Sequence, residues 1–151
     1  MTESSRVEQV SAYLNVKGAE KALAFYTEAF GAVERYRLTD PSDGKIGHAE
    51  MNLGGHIIML SDEYPDFGAL GPQALGGSPV KMYLLVDDVD AFFERATGAG
   101  ATVVRAVKDE FHGYRSGLLS DPFGHAWHVA TLKEKVAPAT MQQRWNDAAQ
   151  N

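Results

Sequence analysis

The fold is decided by a stretch of sequence that occurs twice. Ser11 to Tyr36 reads SAYLNVKGAEKALAFYTEAFGAVERY, and it aligns with Lys81 to Arg105, KMYLLVDDVDAFFERATGAGATVVR, with a gap of one residue. Further along, GHIIML at 55–60 matches GHAWHV at 124–129, each residue 69 positions from its partner (124 minus 55). A repeat of this length is one supersecondary unit, so the chain is predicted to contain two modules built alike.

The spacing of apolar residues changes in the same order along each copy, from every second residue to helical spacing and back. This order predicts a strand, a helix and then three more strands. In the first copy the helix is predicted from Ala19 to Phe30, with Gly31 as its C-cap. In the second copy either Asp87 or Asp88 is predicted to cap a helix that ends before Gly100. The remaining strands are predicted at 33–38, 46–53, 56–60, 103–107, 114–119 and 125–132.

These elements predict an α+β domain over residues 1–151, made of two tandem β-α-β-β-β modules at 10–60 and 80–132. Each module alone would be marginally stable, so the two are expected to share a core. The stretch 61–79 between them is rich in Gly and Pro, and it is either a connector or a lid over a cavity. A short amphipathic helix is predicted at 138–149, packed on its own chain or across a dimer.

The composition disfavours several kinds of binding partner and excludes cysteine chemistry. The chain has 151 residues, 44% of them hydrophobic, and a net charge of −6 from 14 basic and 20 acidic residues. Without a basic cluster, this charge disfavours binding to nucleic acid or to an anionic membrane surface. Cysteine is absent, which excludes disulfides, thiolate metal sites and cysteine nucleophiles. Because no apolar run has membrane-spanning length and the start is polar, the expected location is cytoplasmic.

Several motifs together resemble one known family. They include YLNVKGAEKALAFYTEAFGA at 13–32, HAEMNLGG at 48–55 and SDPFGHAWHVAT at 120–131. Over Val10 to Leu132 the chain is similar to the glyoxalase/bleomycin-resistance/dioxygenase superfamily, also called vicinal oxygen chelate proteins, and to its PhnB-like branch. The resemblance implies curved sheets around a cavity, helices on the outside, a small-molecule ligand and a homodimer.

Strand alternation then sorts the residues into two faces. One face is nearly all apolar and is expected to pack on the helices, whereas the other is polar and aromatic, as a ligand site tends to be. Trp127 and Phe111 are further candidates to flank an aromatic ligand. The candidate ligand-binding residues are Ser11, Tyr13, His48, Glu50, Met59, Lys81, Tyr83, Arg115 and His128.

The resemblance also implies metal ligands on the first and last strands of each module. Those positions are occupied by Ser11, Met59, Lys81 and His128. Only His128 is an ordinary ligand, because a thioether suits these divalent ions poorly and a protonated lysine repels a cation. No metal is therefore favoured. The alternative is a divalent ion held by His48, Glu50 and His128.

Two classes of function follow. The first is a binding protein that holds a small aromatic or anionic molecule in a cavity between the modules, as in drug sequestration, without a metal. The second is a metal-dependent lyase, isomerase or dioxygenase of the glyoxalase type, in which Glu50 or a water moves a proton. A metal-free enzyme with His128 or Glu50 as general base is a third hypothesis.

Overall fold

The computed structural model describes residues 4–149, and it contains the elements that the repeat predicts, in the predicted order. The helices and strands are β1 (Ala12–Val16), α1 (Ala19–Phe30), β2 (Val33–Thr39), β3 (Ile46–Leu53), β4 (His56–Asp62), α2 (Pro72–Leu75), β5 (Lys81–Leu85), α3 (Val89–Ala99), β6 (Thr102–Asp109), β7 (Tyr114–Ser120), β8 (Ala126–Leu132) and α4 (Pro138–Ala149). The bounds of α1, β3 and α4 are those predicted. Strand β4 continues into the range predicted as a connector, which also holds α2 and a 3₁₀ helix at Pro65–Phe67.

The strands form two separate four-stranded sheets with the orders β1-β4-β3-β2 and β5-β8-β7-β6. In each sheet the first strand of the module runs parallel to the last, and the other neighbours are antiparallel. The two sheets therefore have the same topology, as expected for a duplicated β-α-β-β-β unit. The α+β class and the C-terminal helix are confirmed.

An aspartate accepts backbone N–H groups at the start of each of the two long module helices, α1 and α3. Asp62, at the end of β4, accepts the N–H groups of Gly18 and Ala19 at 3.0 and 2.8 Å, which satisfies free donors at the start of α1. Asp88 accepts the N–H of Ala91 at 3.1 Å and caps α3, so the cap is Asp88 and not Asp87. Gly31 ends α1 with φ of 76°, a left-handed conformation that glycine adopts without a Cβ clash.

The two modules share one core, in which α1 packs against α3. Trp127 of β8 is fully buried, and its ring centroid lies 4.7 Å from that of Phe30 and 5.5 Å from that of Tyr26. Across the same junction, His125 donates through Nε2 to the carbonyl of Asn15 at 3.0 Å. This packing agrees with the expectation that the two modules share a core.

Asp121 connects the polar atoms within this core. Its Oδ2 accepts the hydroxyl of Tyr26 at 2.6 Å and the indole N–H of Trp127 at 2.8 Å. Its Oδ1 accepts the N–H groups of Phe123 and His125 at 2.9 and 3.0 Å. Burial, and then the adjacent carboxylate, raise the pKa of Tyr26 well above its ordinary value, so this hydroxyl stays a donor.

The C-terminal helix α4 packs on its own chain through the loop before β7. Arg144 donates to the carbonyl of Phe111 at 2.9 Å, and the Phe111 and Trp145 rings are 5.3 Å apart. Trp145 nevertheless keeps 59% of its surface exposed. None of the helices between residues 4 and 149 is both long and apolar enough to cross a membrane.

We expect Asp121→Ala to lower the free energy of unfolding by at least about 3 kcal/mol, because it leaves several buried donors without an acceptor. Tyr26→Phe removes one of those donors and leaves the carboxylate otherwise bonded, so it should cost about 1 kcal/mol. Urea unfolding followed by tryptophan fluorescence and circular dichroism measures both. Equal losses in the two variants would contradict the assignment of Asp121 as the common acceptor.

Candidate functional site

Alternation along the strands sorts the side chains of the first sheet as predicted. Leu14 and Val16 of β1 are buried under the helices, whereas Tyr13, the residue before Leu14, is 49% exposed on the opposite face. In β3 and β4, Ala49, Met51, Ile58 and Leu60 are likewise buried under the helices. The open face therefore carries the polar and aromatic residues of the module.

Four side chains on this open face are joined in one chain of hydrogen bonds. The Tyr13 hydroxyl lies 2.9 Å from Nδ1 of His48, and Nε2 of His48 lies 3.2 Å from the hydroxyl of Tyr36. Tyr36 in turn donates to Oε2 of Glu50. The other carboxylate oxygen of Glu50 accepts from Arg35 at 3.0 Å. Both oxygens of Glu50 are thus engaged by neighbouring side chains.

An open cavity of about 930 Å³ lies over this face, and all of its lining residues fall between Tyr13 and Ala69. The strands contribute Tyr13, Asn15 and His48. The segment after β4 contributes Tyr64 and Phe67, so this part of the predicted connector forms a wall of the cavity. Its use as a lid that moves stays a prediction.

The segment after β4 is held against β1 by close packing. Glu63 accepts the N–H of Gly71 at 2.8 Å. A Cβ built on Gly71 would stand 2.9 Å from the carbonyl oxygen of Asn15, which is closer than real Cβ contacts, so the backbone approach depends on glycine here. The ammonium of Lys45 lies 5.2 Å from the centroid of the Tyr64 ring and supports it from outside.

The second sheet carries a different set of residues on its open face. Tyr83 is 53% exposed there, and its ring lies 5.0 Å from that of His128. Nε2 of His128 is buried without a hydrogen-bond partner among residues 4–149. Burial lowers the pKa of His128, and the nearby Arg105, His112 and Lys81 lower it further, which favours the neutral imidazole.

The predicted site residues therefore fall into two groups within one chain. On the first sheet, Tyr13 of β1 and Glu50 of β3 both pair with Met59 of β4, and His48 forms a hydrogen bond with Tyr13. Ser11 stands immediately before β1, where its hydroxyl accepts from Gln9. Lys81, Tyr83 and His128 belong to the second sheet and do not line the 930 Å³ cavity. In a single chain that cavity is thus built on the first module and the following segment, rather than between the two modules.

Arg115 was assigned to the open face, and that placement is wrong. In β7 it is Leu118 that pairs with His128, while Arg115 pairs with the buried Thr131 and so points to the helix side. There its guanidinium donates to Asp90 of α3 at 2.8 and 3.0 Å. Asp90 and Asp109 raise the pKa of this guanidinium above its ordinary value, so Arg115 serves as an ion-pair partner of α3.

Trp127, a candidate to flank an aromatic ligand, is fully buried in the shared core with its N–H bonded to Asp121. Consecutive side chains of β8 point to opposite faces of the second sheet, so Trp127 faces the helices and His128 faces the open side. Phe111 packs on Trp145 of α4 and does not line the cavity over the first sheet.

The residues at the family's metal positions do not fit a divalent ion. Met59 offers a thioether and Lys81 an ammonium, and these two stand on different sheets. The alternative set is also divided in a single chain, because His48 and Glu50 approach to 3.9 Å on β3 whereas His128 is on β8. Among residues 4–149 no three His, Asp or Glu side chains form a group that could hold a metal ion.

Sequence reasoning missed Tyr36. A β-bulge between Glu34 and Tyr36 shifts the register of β2, so that Tyr36 stands opposite Glu50 on the open face. Simple alternation from the start of the strand would place it on the other side, and nothing in the sequence marks the bulge.

Comparison with known proteins agrees with the fold. The model of the Glyoxalase/Bleomycin resistance protein/Dioxygenase superfamily matches residues 6–129. Uncharacterized protein Mb0911c of Mycobacterium bovis is 46% identical over 130 residues, which cover 84% of this chain and 85% of that protein. The crystal structure of protein PA1353 from Pseudomonas aeruginosa has a TM-score of 0.68 at 27% identity, covering 85% of this chain and 100% of that one.

A PhnB protein from Bacillus cereus has the same fold, with a TM-score of 0.64 at 17% identity over 82% of this chain and 99% of that one. The similarity predicted from the sequence motifs is confirmed by the family model, which covers both modules and the segment between them. The chain belongs to the glyoxalase/bleomycin resistance protein/dioxygenase superfamily.

Proposed function

We propose that the protein binds a small aromatic molecule in the cavity over the first sheet and sequesters it without a metal. The observation that carries this proposal is the cavity of about 930 Å³ itself, since its size is that of a site for a drug-sized ligand. Its wall combines the rings of Tyr13, His48 and Phe67 with polar groups fixed by hydrogen bonds.

The aromatic class of ligand is supported by the rings that remain free to stack. Phe67 is 87% exposed in the single chain, although large apolar side chains are usually covered. Tyr13 and His48 lie 5.5 Å apart with their planes 32° from parallel, and together they form a floor of aromatic surface. A planar ligand held between this floor and Phe67 would bury apolar area on both of its faces.

Binding without turnover is favoured over metal-dependent chemistry because of the residues at the family's ligand positions. Ser11, Met59 and Lys81 do not supply a site for a hard or borderline divalent ion. General-base catalysis by Glu50 or His128 stays a hypothesis. Both oxygens of Glu50 are already bonded, to Arg35 and Tyr36, which makes it a structural acceptor in the free protein.

The protein is also proposed to act as a homodimer, in which the second sheet of a partner copy closes the cavity. Both open faces expose apolar and aromatic side chains in the single chain, including Tyr36 and Leu38 on the first sheet and Tyr83 and Leu85 on the second. Exposed patches of this kind are typical of interaction surfaces. Pairing the two faces would bring Lys81 and His128 to the ligand, and so would assemble the cavity between modules that the sequence predicted.

Filling the cavity should abolish binding. Gly47 lines the cavity, and a Cβ built on it meets its nearest neighbour, the Tyr64 hydroxyl, at an ordinary 3.8 Å, so Gly47→Leu adds a side chain without a clash at Cβ. We expect fluorine-labelled aromatic fragments, screened by ¹⁹F NMR, to bind this variant at least about tenfold more weakly, because the ligand's volume is occupied.

The matched control is Gly98→Leu, since Gly98 on α3 has no atom within 4 Å of its Cβ position and lies away from the cavity lining. Its fragment affinities should equal those of the wild-type protein. Undiminished binding in Gly47→Leu would show that the fragments bind elsewhere.

The dimer is tested by light scattering during size-exclusion chromatography. We expect a particle of twice the chain mass of 16.4 kDa, and a monomer for Leu85→Asp, because a buried unpaired carboxylate is costly at an interface. Leu85 is 62% exposed in the single chain, so this change should not affect its folding. Ala91→Asp places the same charge on the exposed side of α3 and should leave the dimer intact. A wild-type monomer at micromolar concentration would contradict the proposal.

A further inference from the structure

The hydrogen-bond chain on the first sheet has a direction, and that direction determines what the cavity can accept. The inference rests on the proposed function, because it concerns the ligand of the same cavity. The chain runs through Tyr13, His48, Tyr36 and Glu50. Each hydroxyl has one proton and each neutral imidazole has one N–H, so the protons along the chain can be counted.

The count begins at Glu50. Its carboxylate is ion-paired with Arg35 at 3.0 Å and, as an ionised group, can only accept hydrogen bonds. The Tyr36 hydroxyl must therefore be the donor in its hydrogen bond with Glu50, and this bond uses its one proton. The same hydrogen bond raises the pKa of Tyr36, so the phenol keeps that proton.

The next step fixes the tautomer of His48. Because the proton of Tyr36 is used on Glu50, the contact of 3.2 Å between Tyr36 and Nε2 of His48 requires an N–H on Nε2. A neutral imidazole with its proton on Nε2 has a lone pair on Nδ1. Nδ1 is the atom that faces the Tyr13 hydroxyl at 2.9 Å, so Tyr13 must donate to it.

Tyr13 thus ends the chain with its only proton directed at His48, and the residue itself lines the cavity. We propose that the Tyr13 oxygen is a dedicated hydrogen-bond acceptor, and that the cavity selects neutral aromatic ligands bearing a hydrogen-bond donor, such as a phenolic hydroxyl. Tyr13 is then a specificity-determining residue, and His48 and Tyr36 are positioning residues that fix the direction of its proton.

The charge of the cavity wall favours the same class of ligand. Asp40 lines the cavity, and its hydrogen bonds from Ser42 lower its pKa, so it carries a negative charge. The guanidinium of Arg35 is already paired with Glu50. Within one chain, an anionic ligand would meet lone pairs on Tyr13 and a carboxylate on Asp40, and this part of the wall disfavours the anionic half of the ligand class expected from the sequence.

Tyr26 provides the internal comparison. Its hydroxyl is buried in the shared core, where it donates to Asp121, and the residue does not line the cavity. Tyr26→Phe and Tyr13→Phe therefore remove the same group, and only the second removes it from the cavity.

The first test needs no ligand. Long-range ¹H–¹⁵N NMR of the neutral His48 ring should show the proton on Nε2 in the wild-type protein. Tyr36→Phe removes the group that holds this proton in place, so a mixture of tautomers is expected there, while Tyr26→Phe should retain the wild-type tautomer. A wild-type ring with its proton on Nδ1 would overturn the direction of the chain.

The second test compares phenol with fluorobenzene, which has nearly the same shape and no donor. Phenol is expected to bind about fivefold more tightly than fluorobenzene to the wild-type protein and to Tyr26→Phe, because it gains one hydrogen bond. The ratio should fall to about one in Tyr13→Phe. Shifts of backbone amides around the cavity measure both affinities, and circular dichroism checks that each variant is folded.

The outcomes separate the two proposals. If both probes bind the wild-type cavity equally, the preference for a donor is overturned and the proposed binding function stands. If the ratio survives in Tyr13→Phe, Tyr13 is not the acceptor and the inference fails. If neither probe shifts the amides that line the cavity, the proposed function and the inference both fail.

Discussion

The carboxylate of Asp121 and the aromatic residues around it are the constraint on which the rest of the structure depends. Asp121 lies just before β8 and accepts from Tyr26 of α1, so one buried side chain joins the two modules. Trp127 and Phe30 pack around this bond in one continuous core. Because each module brings one apolar face to this core, its other face is left open.

The position of the candidate site follows from that arrangement. With the helices covering one side of each sheet, the open sides hold the residues that the core cannot accept, such as His48 and Glu50 on one sheet and His128 on the other. The segment after β4 then completes a cavity over the first sheet only. The two open faces have the same topology and different chemistry, which suits a site assembled from unlike halves.

The repeat was sufficient to predict most of the fold. Period-two and helical spacing located α1, β3 and α4 to the residue, because buried faces impose strict periodicity. The same argument sorted Tyr13, His48 and His128 onto open faces. It failed for Arg115, whose place on β7 depends on strand pairing, and for Tyr36, whose orientation depends on a bulge. It also could not show that His128 and His48 belong to different sites within one chain, because that depends on how the two sheets pack.

The central claim is that the cavity over the first sheet is the ligand site. The most direct test is crystallographic soaking with a set of small aromatic compounds that includes phenol, with the position of the bound ring read from the electron density. We predict a ring between Tyr13 and Phe67, with a donor atom within hydrogen-bond distance of the Tyr13 oxygen. Rings bound only against Tyr83 and His128 of the second sheet, with the first-sheet cavity holding solvent, would contradict it.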